Sequence, residues 1–243
     1  MKNYLVKIPR FVPAIYRNQI WGFLPDKKSI YLTFDDGPTP EITDWVLETL
    51  NAYRAKATFF CLGKNMEQHP DVFDRVLQNG HTIGNHTYEH LNGWNTASDQ
   101  YFTSIDKTQK LINSSLRGQE SEVPNNQQPA TSNQQPATSN QQLKLFRPPY
   151  GKIRAGQTKE LVRKGYHIVM WGVISADFDA TISTEKCYHN VIDNTESGNV
   201  VVFHDSVKAS KNLKSALPRV LEYFSESGFE FKKIGLRDIA GQG

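Results

Sequence analysis

Apolar runs rich in β-branched and aromatic residues alternate along this chain with stretches in which apolar residues recur at helical spacing. The runs are SIYLTF (29–34), KATFFCL (56–62), HTIGNH (81–86), LKLFR (143–147), HIVMWGV (167–173), GNVVVFH (198–204) and GFEFKKI (228–234). Their composition suits pleated, buried strands. The helical pattern falls between them, over 41–55, 69–80, 98–116, 156–165, 183–197 and 213–227. Strands alternating with helices predict βα units around a parallel sheet. Seven strands and six connecting helices predict a distorted, incomplete (β/α) barrel. Two helix ends have a local cause: Ser183 can cap the helix carrying Cys187, and Gly80 can stop the helix ending near Asn79 by turning left-handed.

One segment breaks the alternation. Residues 126–142 read NQQPATS, NQQPATS, NQQ. The period is seven, but each copy holds a Pro and only Ala as an apolar residue, so no coiled-coil seam can form. A solvated loop insertion over 118–142 is expected, because the repeat buries too little apolar surface to offset the entropy of ordering it. The rest of the 243 residues is read as one catalytic domain, with the informative motifs over about 28–235.

Composition narrows the picture further. Apolar residues make up 38% and charged residues 22%, which fits a globular chain. A net charge of +3 with no dense basic block gives no nucleic-acid footprint. No run reaches the ~20 apolar residues of a membrane span, and Pro9, Arg10, Pro13 and Arg17 interrupt the N-terminal apolar runs before signal-peptide length. The default expectation is therefore a cytoplasmic location. Cys61 and Cys187 form no metal or CxxC spacing and read as buried free thiols.

In βα architectures ligands collect where the strands end. Five polar clusters fall there: TFDDGP, HTYEH, RPPYG, SADFD and VFHDS. Asp35 and Asp36 are adjacent at a strand end, where diverging side chains could send one carboxylate to a metal and leave the other as a base. Alone, Asp followed by Gly-Pro also fits an ordinary turn. His86 and His90 are spaced H-x-x-x-H; were the chain helical there, both rings would share one face and could close on one ion. With Asp36 they would give three protein ligands and leave an open position.

TFDDGP, GHTIGNHTYEH, RPPYG and a late strand ending in FHD, in this order, closely resemble the motifs of the polysaccharide deacetylase family, also called the NodB-homology or carbohydrate esterase family 4 domain. The resemblance implies a distorted (β/α) barrel and metal-dependent removal of acetyl groups from N-acetylated sugars. By position, Asp36, His86 and His90 resemble the metal triad and Asp35 the catalytic base. The implied cofactor is one divalent ion, zinc first, with cobalt, nickel or manganese as alternatives. Arg147 resembles the residue that pairs with the base, and Pro148 and Pro149 precede Tyr150, whose backbone N–H would donate to the developing oxyanion. His204 resembles the general acid that protonates the departing nitrogen.

The fourth cluster departs from the family pattern. Ile174 stands where many members have an Asp that tunes the acid, Asp177 is at the second position and Phe178 replaces a Trp. With Ile174 unable to accept a hydrogen bond, Asp177 is the site candidate to serve His204, with Asp179 as the alternative. Other histidines read as structural or surface residues: His81, His69, His167 and His189. Trp171 either floors the site or fills the barrel.

The expected partner is an acetylated carbohydrate such as a chitin-like oligosaccharide, peptidoglycan or a related glycan. Two alternatives stay open: an O-acetyl esterase (xylan-like) or small-molecule amidase on the same metal site, and a sugar-binding barrel without turnover.

Overall fold

The computed structural model describes residues 4–24, 27–121 and 143–241. Nine parallel strands form one sheet: β1 (Gln19–Ile20), β2 (Ser29–Asp35), β3 (Thr58–Cys61), β4 (Thr82–Asn85), β5 (Lys144–Phe146), β6 (Tyr166–Val169), β7 (Val173–Ile174), β8 (Val200–His204) and β9 (Glu230–Lys232). Their order is β1-β6-β5-β4-β3-β2-β8-β7, with β9 also on β2. The expected incomplete barrel is present, with the strand count corrected. HIVMWGV is two strands: β7 ends the sheet path and β6 lies one strand in from the other end, although only Met170–Gly172 separates them. The chain thus steps across the barrel's gap. Gly172 permits this, since a Cβ there would stand 3.2 Å from Asn199 Nδ2 and 3.4 Å from the Trp21 carbonyl. The N-terminal segment lines the same gap through antiparallel bridges from Lys7 to Val173 and from Gly22 to Asn199. β1, only two residues long, was missed for lack of any period to read.

The six expected helices are present as α2 (Ile42–Ala52), α4 (Pro70–Gln78), α5 (Ser98–Ser121), α6 (Ala155–Arg163), α7 (Thr184–Ile192) and α8 (Ser210–Glu226). Three more, α1 (Val12–Ile15), α3 (Gly63–Gln68) and α9 (Leu236–Ala240), are one or two turns long, too short to show a helical period. The backbone of α5 runs on to Ser121, so the first four residues of the expected 118–142 loop are helical; the NQQPATS repeat lies outside the described residues. Ser183 Oγ accepts from Lys186 N–H at 3.1 Å and Gly80 has φ +74°, both as their residue types predict.

Strand alternation decides what faces the site. On β2, Ile30, Leu32 and Phe34 join the cluster that packs against the helices, while Tyr31 joins the interior cluster with Phe60, Leu145, Val169 and Val200. Side chains two apart share a face, so Thr33 and Asp35 continue Tyr31's interior row. The same parity puts Arg147, two past Leu145, and His204, four past Val200, on the interior side. In the β2–β8 register Asp35 is the Cα partner of His204. Cys61 and Cys187 are both buried and free.

Candidate active site

The loops at the C-terminal ends of these strands hold most of the backbone strain. Five of the seven non-glycine residues with positive φ among those described are Asp36, Thr87, His90, Tyr150 and Ala176. Each such residue costs about 1–3 kcal/mol and persists only where its surroundings over-determine it.

Arg147 fills the top of the barrel interior and is fully buried. Its Nη1 donates to Asp35 Oδ1 and to Thr33 Oγ1, both at 2.7 Å, its Nε to the Val169 carbonyl at 3.1 Å and its Nη2 to the Met170 carbonyl at 2.8 Å. Beneath it lies the Phe60 ring, 4.1 Å from the guanidinium carbon. Burial pulls the Arg147 pKa down and the Asp35 charge opposes that. One oxygen of Asp35 is thus committed to Arg147, and Oδ2 remains.

Asp36 turns the other way. Its φ of +79° carries its carboxylate out of the strand's alternation toward His86 and His90. His90 Nε2 is 3.2 Å and His86 Nε2 3.7 Å from Asp36 Oδ1, and one donor atom from each of the three lies within 4.8 Å of the others. The chain is not helical over 86–90: Thr87 and His90 have φ of +66° and +61°. A loop brings the rings to 5.1 Å instead. It is tied down by Thr87 N–H donating to Asn85 Oδ1, Tyr88 N–H to Ser104 Oγ and Leu91 N–H to Thr87 Oγ1.

Two observations test whether these residues fit a divalent ion. Asp36 Oδ1 is buried and makes no hydrogen bond. Two ligands each 2.0–2.1 Å from a tetrahedral ion stand about 3.3 Å apart, close to the two separations here. The donor set also suits the ion chemically. His86 Nδ1 is 2.8 Å from the Arg147 carbonyl, which can only accept, so Nδ1 carries the proton and Nε2 is left with its lone pair. Burial pulls the His86 pKa down to about 4, keeping the ring neutral. Burial alone would raise Asp36, but His90, His204 and His86 hold it well below the usual carboxylate range. The residues fit.

His204 ends β8 beside Asp35. Its Nδ1 donates to Asp177 Oδ1 at 2.8 Å and its backbone N–H to Asp177 Oδ2 at 2.7 Å. Burial disfavours the imidazolium, but Asp177, with Asp36 and Asp35 behind it, raises the pKa to about 9. The choice left open in the sequence is thereby made by geometry. Asp179 instead accepts from the Thr181 amide and hydroxyl. Phe178 meets the His204 ring edge-on at 5.0 Å and Tyr4 at 5.7 Å.

Tyr150 is the second residue of a one-turn 3₁₀ helix, Pro149–Gly151, with φ +60°. The first N–H groups of a helix lack an intrahelical acceptor, and its ring packs edge-on against His90 at 4.4 Å. Trp171 lies under this turn: a Cβ at Gly151 would stand 2.7 Å from its indole. His81 accepts from the Ala57 N–H, a structural role. His189 is exposed between Glu185 and Asp193. His69 does have neighbours at the site: it lines an open pocket of about 470 Å³ with Asp36, His90, Asn65 and Lys208. Sequence reasoning missed Thr33, Asn65 and Asp205, although Thr33 and Asp205 sit inside the motifs TFDDGP and FHD.

Several of the known proteins to which this chain is similar are named as deacetylases. The profile described as "Polysaccharide deacetylase" matches residues 24–123. A Bacillus cereus peptidoglycan-N-acetylglucosamine deacetylase is 32% identical over 215 residues, 88% of this chain and 90% of the relative. Another from the same organism is 32% identical over 207 residues, and the chain spans only 66% of its length. The crystal structure of the Bc1960 peptidoglycan N-acetylglucosamine deacetylase superposes with a TM-score of 0.77 at 28% identity, covering 93% of this chain and 95% of that one. The 32% identity runs over 88% of this chain and 90% of that relative, and the fold agrees over 93% of the chain, so the chain belongs to the polysaccharide deacetylase family.

Proposed function

We propose that this protein is a metal-dependent N-deacetylase that hydrolyses the acetamido group of N-acetylglucosamine units in a glycan of the peptidoglycan class, giving a free amine and acetate. The observation that carries the reading is the convergence of Asp36, His86 and His90 on one point beside two buried ion pairs, Asp35–Arg147 and Asp177–His204. The names of the relatives support the substrate class.

A divalent ion held by Asp36, His86 and His90 would supply Lewis acidity toward the acetyl carbonyl and toward water. Asp35, whose Oδ2 is left by Arg147, takes the proton of the attacking water. The Tyr150 N–H donates to the oxygen on which negative charge develops. His204, held by Asp177 through Nδ1, gives its Nε2 proton to the departing nitrogen. An amine leaves poorly unprotonated, and an acid charged near neutral pH suits the task.

An ester leaves more easily than an amide and could do without a well-supported acid; Asp177 supports His204 at 2.8 Å, which favours the amide. Acetate release should be measured from peptidoglycan fragments, chitooligosaccharides and acetylated xylan, with and without a chelator. Release from the first two that the chelator abolishes and zinc restores is the expected result. Chelator-resistant release, or release from xylan alone, contradicts the proposal, and glycan retention without acetate would identify a binding protein.

The acid has its own test. In the metal-free chain His204 titrates at about 9, above its ordinary 6.5. The pair therefore stabilises the fold fully below about pH 6.5 and loses that contribution as pH rises through about 9. Asp177→Asn removes the main support of the imidazolium, and the His204 titration followed by NMR is expected to fall by at least about one unit, with the alkaline limb of kcat/KM moving the same way. An unmoved titration contradicts the assignment.

A further inference from the structure

One carboxylate at the site has no part in the steps above. Asp205 follows His204 and is 1% exposed. Its backbone N–H donates to the Asp35 carbonyl at 3.1 Å. Its Oδ1 accepts from the Gly37 N–H at 3.0 Å, and its Oδ2 accepts from the Thr43 hydroxyl at 2.6 Å. Thr43 lies in the first turn of α2, and its Oγ1 accepts in turn from the Thr39 N–H at 2.7 Å. The loop from Asp36 to α2 is thereby gripped at both ends by a single side chain. The approach is so close that a Cβ at Gly37 would stand 1.9 Å from Asp205 Oδ2, which accounts for glycine in TFDDGP.

Asp36 sits between the two residues this clamp holds, Asp35 and Gly37, in a left-handed conformation that a non-glycine residue adopts only at a cost of about 1–2 kcal/mol. His90 Nε2 stands 3.2 Å from its Oδ1, but no donor meets that oxygen at hydrogen-bonding geometry to hold the conformation. The hold comes from the backbone: the Asp205 clamp, and Asn65 Nδ2 donating to the Asp36 carbonyl at 2.8 Å.

We propose that Asp205, acting through Gly37 and Thr43, is the positioning residue of the metal centre: it fixes the Asp35–Gly37 turn so that Asp36 faces His86 and His90 while Asp35 stays in the barrel interior. The inference rests on reading Asp36, His86 and His90 as the metal ligands. It deepens that reading by naming the residue that holds the carboxylate ligand in place.

The test is zinc affinity of the full chain, measured by competition with a chromogenic chelator, on Asp205→Asn, Thr43→Val and Thr43→Ser. Thr43→Val keeps the side-chain shape and removes the hydroxyl; Thr43→Ser keeps the hydroxyl. Outer-shell partners of metal ligands are worth about 10–100-fold in affinity. Asp205→Asn and Thr43→Val are therefore expected to weaken zinc binding by about that factor, with Thr43→Ser within about 3-fold of the parent. A clamp that merely supports the fold would lower the melting temperature and leave the zinc affinity of the folded protein unchanged. That outcome in folded Thr43→Val overturns the inference, whether or not Asp205→Asn folds. Failure of the parent chain to bind zinc overturns the ligand assignment instead.

Discussion

Asp35→Asn is expected to lower kcat by about 10²–10⁴-fold, the usual contribution of a positioned general base, while zinc affinity stays near that of the parent. The substitution is isosteric, and the amide oxygen can still accept from Arg147 Nη1, which now meets Asp35 Oδ1 at 2.7 Å. What it removes is the proton-accepting oxygen. Asp35 is not among the three groups whose donor atoms converge, so the metal centre should persist. A competing effect must be weighed. Neutralising one member of a buried pair leaves the Arg147 guanidinium with only neutral acceptors, and losing a buried partner outright costs about 3–5 kcal/mol. Since Asn keeps one hydrogen bond, the loss should be smaller, and a fold of about 5–15 kcal/mol survives it at 25 °C. The rate effect then belongs to the folded enzyme. It should appear in kcat and kcat/KM alike, as befits an interaction made in the transition state. Undiminished acetate release from Asp35→Asn, or loss of its zinc, would show that the two adjacent carboxylates do not divide the work as proposed.

Much of this site was legible because the barrel's logic is periodic. A strand alternates faces, so Asp35 at the end of SIYLTFD and His204 at the end of VVVFH had to share the interior once their strands paired in register. Both end their strands, and so do Asn85 and Phe146, immediately before His86 and Arg147. Period and position were enough to gather these residues at one mouth. The HIVMWGV run shows where that logic stops. A mostly apolar string gives no sign that its middle leaves a strand near one end of the sheet and joins the other end, because residues of both halves, Ile168 and Val169 before the break and Val173 after it, are buried.

The H-x-x-x-H spacing shows a different limit. On a helix, i and i+4 would share a face, yet the rings meet through a loop with two left-handed residues. Spacing along the chain constrains a ligand pair less than the hydrogen bonds that hold the loop, and those come from Asn85 and the distant Ser104. Likewise the sequence named Asp177 for His204 but left Asp179 open beside it. The choice fell to Asp177, which reaches both the ring and the backbone N–H of His204, while Asp179 turns back on Thr181.

The largest stability effect should come from Arg147. Its guanidinium reaches β2 through Thr33 and Asp35, and the end of β6 through the Val169 and Met170 carbonyls, so one side chain ties the neighbouring pair β5 and β6 to β2, which lies beyond β4 and β3 in the sheet. Arg147→Met keeps an unbranched apolar stem and removes all four hydrogen bonds. It leaves the 4%-exposed Asp35 carboxylate in the interior without its cation. Breaking a buried pair from one side costs about 3–5 kcal/mol. At about 2–4 °C per kcal/mol for a chain of this size, the melting temperature should fall by roughly 6–20 °C. Arg147→Lys should recover little of this, since an ammonium with three donors cannot reproduce a planar fork shared among four acceptors. The discriminating variant is Arg147→Met combined with Asp35→Leu. If the main penalty is an unpaired buried charge, removing the carboxylate too should restore part of the lost stability and none of the turnover. If instead the penalty lies in the lost hydrogen bonds to β6, the double variant will be no more stable than Arg147→Met, and the electrostatic account of this pair fails. Thermal unfolding of the metal-free proteins separates the two, because it removes any contribution of a bound ion to the melting temperature.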